Sequence, residues 1–489
     1  MNPTNPSNIP VFSSHGYSQR RVMLIVLILA IAAFMQMLDS AVLAIAIPAM
    51  AKDFGAPPTA LGLGITVYVL AAAIMIPTSG WIADRFGARR VFVCALIAFT
   101  IASVLCGFSR TLEQFVAARV LQGITGALLS PVGSVIMMSI VERRDMIRMT
   151  NLFTAPMLMA PVIGPPLGGF ITTWFGWPWI FYLNIPFGVA GVVLATVFIT
   201  ELGRRRRPFD TLGLVLNGLT FAALIYGFDR LAEDRAALTM ASGLILVGVA
   251  LGWIAVRHSL RHPHPLLSLT PLRFASFRLT SIGALPFMRL PSAALPFIVP
   301  ILLQVGFGLS AFATGMLFLG YTSGDLLMKA FTSRAFRCFG YRATMQVAML
   351  GVVVSLFACA LFTSGTPYWL MLVVLFIGGC FRSFTMTALG TLSYAEIPPA
   401  ELTSATILNQ VMMQLSQAVG VSFTVLVLQL AITGRGEATD RVSAIDCRIA
   451  LALVGIVTAI ALLPIRRLAP DAGSELSGHR PGLGEALSD

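Results

Sequence analysis

The chain has 489 residues, 57% hydrophobic and only 11% charged, with a formal net charge of +12. A soluble domain carries roughly a quarter charged residues, so this composition excludes a soluble globular protein. The basic residues are almost all arginine and fall in short clusters between apolar runs. That is the pattern of cytoplasmic loops under the positive-inside rule rather than of a nucleic-acid surface, so the expected partners are the lipid bilayer and a small molecule, with no nucleic acid.

No charged residue interrupts the stretch from Arg148 to Glu201 or that from Arg342 to Arg382. Each is long enough for two helices of about 20 residues. Continuous apolar runs exclude the alternating pattern of a barrel strand, so the fold class is an all-α polytopic membrane protein. The first run, Val22 to Met50, is too long for a signal-peptide core and reads as a retained first span. In chain order the spans fall at 22–50, 59–80, 91–108, 114–139, 149–172, 178–200, 211–228, 237–256, 279–305, 310–331, 343–363, 367–392, 403–430 and 449–465. With both termini inside, Arg85/Arg89/Arg90, Arg143/Arg144/Arg148, Arg204–Arg207, Arg257/Arg261/Arg273/Arg278, Arg334/Arg337/Arg342 and Arg466/Arg467 all lie on the cytoplasmic side. The expected domains are a tail (1–21), a six-helix bundle (22–203), basic linkers with two extra spans (204–278), a second six-helix bundle (279–468) and a tail (469–489). Both tails are rich in Ser, Pro and Gly or Asn and read as disordered. Two six-helix halves with a substrate site between them at mid-membrane is an architecture of secondary transporters.

The loop after span two reads GWIADRFGARR, Gly80 to Arg90. Gly80 and Gly87 allow a tight turn and close helix approach, and Asp84 is placed to pair with an arginine or cap a helix; Arg85, Arg89 and Arg90 complete the pattern. This stretch closely resembles motif A of the major facilitator superfamily. LDSAVLAIAIP (Leu38 to Pro48) resembles the first-span motif of its fourteen-span drug:proton antiporters, the DHA2 or EmrB/QacA group. RVLQGITGALLSP (Arg119 to Pro131) resembles motif B, GPPLGG (Gly164 to Gly169) the core of the antiporter motif C, and WPWIFYLNIPFG (Trp177 to Gly188) that group's entry to span six. In the second half, LQVGFG, FGYR and LNQVMMQLSQAVGVSF look closest to the branch holding MdtD. The chain departs from the group where Ala41, Ala44, Asn151 and Ala160 replace its usual Thr, Asn and glycines. The resemblance implies a major facilitator fold of fourteen spans and proton-coupled export of drugs without a cofactor. A periplasmic adaptor, used by some relatives, is a further implied partner.

Independently of resemblance, Gly164, Pro165, Gly168 and Gly169 make a kinked small-residue face that lets a neighbouring helix approach. Ionisable groups inside lipid are costly unless paired or hydrated, and so mark function by default. Five stand out: Asp39, Arg119, Arg289, Asp325 and Arg382. Asp39 lies about 16 Å from the outer end of span one and Arg119 about 8 Å from that of span four, a difference a long guanidinium side chain can bridge. They are the expected proton-coupling pair, with a static ion pair as the alternative. Arg289, Asp325 and Arg382 sit near mid-depth in spans nine, ten and twelve and are the expected substrate-binding group. Two arginines against one aspartate favour an anionic cargo such as an organic acid, the alternative being a self-satisfied network.

Other features carry less. The lysines Lys52 and Lys329 follow no phosphate-binding loop, which argues against an ATP-driven pump. No span contains histidine and the acids are scattered, so no catalytic cluster and no enzyme is indicated. The six cysteines include no CxxC, and His258, His262 and His264 cluster in a basic loop, where no metal site is expected. Met412 and Met413 read as core or lipid-facing filler, and Trp177 and Trp179 as interfacial anchors.

Overall fold

In the computed structural model, residues 18–142, 145–201, 208–230, 238–263, 265–398, 401–435 and 442–466 are described. The arginines 143, 144, 204–207 and 467, His264 and the expected disordered tails beyond 17 and 466 lie outside the described residues. The described residues form helices and no strand: α1 Gln19–Phe54, α2 Pro58–Phe86, α3 Ala88–Phe108, α4 Leu112–Ile140, α5 Met146–Trp174, α6 Trp179–Phe198, α7 Thr211–Arg230, α8 Leu238–Arg261, α9 Ala275–Gly306, α10 Ala311–Ala360, α11 Tyr368–Leu392, α12 Leu402–Gly434 and α13 Ala444–Ala459. Among them, 12 are long and apolar enough to cross a membrane. The 50-residue α10 breaks at Gly340, whose φ of +71° is left-handed, so it covers two of the expected spans. α13, at 16 residues, covers the fourteenth and is the one that falls short of the spanning length.

Local chemistry sets the ends. The Ser18 hydroxyl accepts the Arg21 N–H at the start of α1, and Gly55 closes that helix at φ +61°. Thr111 caps α4 and Ser310 caps α10 by the same use of a side-chain oxygen, and Ser443 with Asp446 forms a full capping box on α13. Gly87, at φ +95°, reverses the chain between α2 and α3 in one residue, a backbone state that a side chain disfavours. Gly80 differs from expectation. It sits inside the run of α2 with nothing within 4 Å of where a Cβ would stand, so it meets neither a turn nor a close helix approach.

The arginines of that loop have a definite task. Arg89 donates to the Thr196 carbonyl at 2.5 Å, Arg21 to that of Phe198 at 3.1 Å, and Arg90 pairs with Glu201 at 3.3 Å. Thr196 and Phe198 end α6, where the last carbonyls have no helical partner and attract cations. The loop arginines thus fasten α3 to the end of α6, and Arg21 does the same for α1.

In the first half α1 packs on α5, and α4 on α2 and α3; in the second, α9 packs on α12, and α10 on α11 and α13. The halves meet through α5–α10, α2–α12 and α1–α9, and the α7–α8 hairpin leans on that seam through α7. The outward face of α8 is apolar and exposed, as at Leu246, Val249 and Trp253, which suits lipid contact. The seam is tightest away from the arginine-rich loops. A Cβ at Gly164 would stand 2.5 Å from that of Ala41, one at Gly168 2.8 Å from the Val42 carbonyl, and one at Gly169 2.5 Å from the Ala311 carbonyl. Gly315 returns the contact onto the Pro165 carbonyl. Phe312 N–H donates to the Thr173 hydroxyl at 3.1 Å, and the Gln304 amide donates to the Ile45 carbonyl at 2.9 Å. Of the glycine-proline face of α5, Gly164 and Gly168 thus pack on α1 within the first half, while Gly169 and Pro165 meet α10 across the seam.

Candidate functional site

Proline breaks shape the wall of the space between the halves. α9 carries Pro291, Pro296 and Pro300 between two π-helical turns, Leu279–Ala284 and Leu302–Gly306, and α5 carries Pro156, Pro161, Pro165 and Pro166. Such interruptions keep a helix from lying flush against its neighbours. Between them lies a cavity of about 510 Å³, lined by Gln36, Tyr68, Arg119, Arg289, Phe297, Tyr321, Arg382, Met413 and Gln414 among others. A volume of that order matches a small-molecule site.

On the first-half side, Asp39 and Arg119 meet. Arg119 Nη1 lies 2.9 Å from Asp39 Oδ2, and both residues are 1% exposed. Oδ1 of the same carboxylate accepts from the Gln122 amide at 2.9 Å and from the Asn184 amide at 2.7 Å. Both amides also donate to the Ser103 hydroxyl, at 2.8 and 3.1 Å. Arg119 in turn donates to Gln122 Oε1 at 2.6 Å and to the Gly64 carbonyl at 3.3 Å, and lies over the Tyr68 ring at 4.2 Å from its centroid. One buried ion pair thus ties α1, α2, α3, α4 and α6 together. Burying a charge without such partners would be prohibitive. The cavity lining includes Arg119 but not Asp39, so the carboxylate stands behind the guanidinium.

On the second-half side the expected trio divides. Arg382 Nη1 lies 2.7 Å from Asp325 Oδ2, and its Nε donates to the Ser292 hydroxyl at 3.1 Å. The Ser383 hydroxyl donates to the Asp325 backbone carbonyl at 2.6 Å, fixing α11 against α10. Arg289 does not join this pair. It makes no ion pair among the described residues, and its buried Nε has no hydrogen-bond partner there. The hydroxyl of Tyr321, another residue of the lining, is likewise buried without a partner.

Sequence reasoning missed Gln122, Asn184, Ser103 and Ser292. Two of them carried a signal, since Gln122 follows Arg119 by three residues and Ser292 follows Arg289 by three, and such pairs share a helix face. One other reading changes. Trp177 is 5% exposed and donates to Asp53 at 2.7 Å, so it is a buried pin, while Trp179 stays exposed. Met413 packs against core, as expected, and also lines the cavity.

His258 and His262 stand beside Asp210, with possible ligand atoms within 4.8 Å of one another. The arrangement is a hydrogen-bonded cap. Asp210 accepts from the Gly213 N–H at 2.8 Å, from the Leu266 N–H at 3.0 Å and from His258 Nε2 at 2.7 Å. Burial works to raise the Asp210 carboxyl, but those bonds outweigh it and hold the group below the ordinary aspartate value of 3.8. The clamp ties the start of α7, the end of α8 and the segment leading to α9.

A pseudo-paired set of helices around one central cavity, with charged groups held at mid-depth, defines a membrane transporter of the two-bundle type. Residues 29–214 and 282–487 match the Major Facilitator Superfamily, and the chain belongs to that family: it is a transporter and not an enzyme. It is 35% identical to the multidrug resistance protein MdtD of Serratia proteamaculans over 395 residues, 81% of this chain and 83% of that one. The MdtD proteins of Klebsiella pneumoniae and Escherichia coli are 35% and 33% identical over 404 and 405 residues, each alignment spanning 82% of this chain and 85% of the relative. Among solved structures, the POT family transporter PepTSo aligns with a TM-score of 0.65 at 14% identity, over 93% of this chain and 99% of that one. The xylose transporter XylE of E. coli aligns at 0.61 and 13%, over 92% and 98%. At that identity the likeness is one of fold.

Proposed function

We propose that the protein is a proton-coupled antiporter that exports drugs or toxic small molecules across the bacterial cytoplasmic membrane by alternating access, with both termini on the cytoplasmic side. The observation that carries this reading is the Asp39–Arg119 pair, whose guanidinium forms cavity wall while the carboxylate lies behind it. Cargo or water that draws Arg119 away leaves Asp39 with amide donors alone, and a proton then supplies the missing positive charge. Return of Arg119 expels that proton on the other side. A proton entering down about 100 mV and one pH unit supplies roughly 3.7 kcal/mol, and no further cofactor is required.

Gly169, which meets α10, belongs to the seal that opens and closes on one side, with Gly164 and Gly168 coupling α5 to α1 behind it, and the loop of Asp84, Arg85, Gly87, Arg89 and Arg90 acts on the other side by bracing α3 against the end of α6. The kinship with MdtD proteins supports drugs as cargo. Cells overexpressing the chain should accumulate less ethidium than a deletion strain, and an uncoupler should remove the difference. Equal accumulation in the two strains would sink the export reading, and a difference that survives the uncoupler would sink proton coupling.

A further inference from the structure

Three guanidinium groups line the cavity, from Arg119, Arg289 and Arg382. Two of them have an aspartate partner, Asp39 at 2.9 Å and Asp325 at 2.7 Å, and neither aspartate is part of the lining. The pairs cancel, so the wall keeps the charge of Arg289. Lipid and the apolar flanks of α9 cannot neutralise it, and an unpaired cation at this depth persists only where cavity water or an anion meets it. Its Nε is buried without a hydrogen-bond partner, as is the hydroxyl of Tyr321, another residue of the lining. Asp325 Oδ1 is also buried without a hydrogen-bond partner, but its carboxylate is engaged by Arg382, so these two donors are left for an acceptor from outside the chain.

We propose that Arg289 and the Tyr321 hydroxyl provide an anion subsite, at which the cavity takes organic anions by their carboxylate in addition to the drugs of the export reading. This rests on the cavity being the cargo site. A guanidinium offers a carboxylate two parallel donors, which an amide or an ammonium cannot use. Phe297, Phe318 and Met413 on the lining suit an apolar body, and Gln36, Gln410 and Gln414 suit further oxygen atoms. Arg382 is excluded as the main contact, because Asp325 and Ser292 already hold it.

The test is equilibrium binding to the full chain in phosphatidylcholine nanodiscs, by calorimetry, with no gradient imposed. The probes are 4-phenylbutanoate, citrate and 4-phenylbutanamide. At least one carboxylate should bind 10-fold or more tightly than the amide, a difference of about 1.4 kcal/mol. Arg289→Gln should erase that preference and Arg289→Lys restore part of it. Equal binding of acid and amide, or no carboxylate binding at all, overturns the proposal without recourse to any variant. So does displacement of the carboxylate by an equal concentration of phosphatidylglycerol, which marks a lipid headgroup site. Carboxylate binding without ethidium export sinks the export reading and leaves this one standing; ethidium export without a carboxylate preference does the reverse.

Discussion

Gly169→Ala strains the seam between the halves. The added Cβ would stand 2.5 Å from the Ala311 carbonyl oxygen and 2.9 Å from the Phe312 Cα. Ordinary contact begins near 3.4 Å, so α5 and α10 must part by about 0.9 Å, and both obstacles are backbone. Overpacking of this kind costs about 1–3 kcal/mol. The contact exists only while this end is closed, so the cost biases the conformational equilibrium rather than the fold as a whole. A bias of 1–3 kcal/mol changes the ratio of closed to open forms by roughly 5- to 150-fold. Spin labels at Thr173→Cys and Ser310→Cys, in a chain otherwise free of cysteine, report the separation. Gly169→Ala should add a longer component to the distance distribution. Gly243→Ala, where a Cβ meets nothing within 4 Å, should leave it unchanged. Identical distributions in Gly169→Ala and the parent would falsify the claim that Gly169 belongs to the seal.

Further outcomes follow from the ion pairs and the cap. Gln122→Leu removes two charge-assisted hydrogen bonds, to Asp39 and from Arg119, each worth about 1.5–3 kcal/mol; the detergent melting temperature should fall by several degrees, and by less when Ser292→Ala is made instead. Asp325→Ala alone strands Arg382 and should destabilise more than the double change Asp325→Ala with Arg382→Met, read by the same melts; equal loss in the two would show that the pair is not a coupled unit. The Asp210 clamp has a depressed carboxyl, so its stabilisation is present above the unfolded value of 3.8 and is lost as pH falls through the lower folded value. Wild type should therefore exceed Asp210→Asn in melting temperature from pH 7 down to about 4, and the gap should close below that; a gap that widens in acid contradicts the sign.

Much of this was legible in the residues. The all-helical class and the order of the helices followed from long charge-free runs, because lipid leaves a chain little choice but to bond its own backbone. The merging of two expected spans in α10 did not, since Gly340 turns the chain without a loop and only its left-handed φ separates the legs. Asp39 and Arg119 were readable as partners because any buried charge must have one, and the helix rise set their depths. Their amide donors were not, because Gln and Asn in a span look like ordinary polar residues until the helices are placed. Arg289 is the instructive case. Depth within the spans grouped it with Asp325 and Arg382, whereas packing gave the aspartate to Arg382 alone and turned a trio into a pair and an unpartnered cation.

In the proposed cycle the Asp39 carboxylate carries the proton that drives export. The most direct measurement records proton and ethidium fluxes together in proteoliposomes under an imposed pH gradient, for the parent chain, Asp39→Asn and Asp39→Glu. The account predicts linked fluxes in the parent, none driven by the gradient in Asp39→Asn, and partial linkage in Asp39→Glu. Undiminished proton-linked ethidium flux in Asp39→Asn would contradict it and leave the pair with a purely structural role.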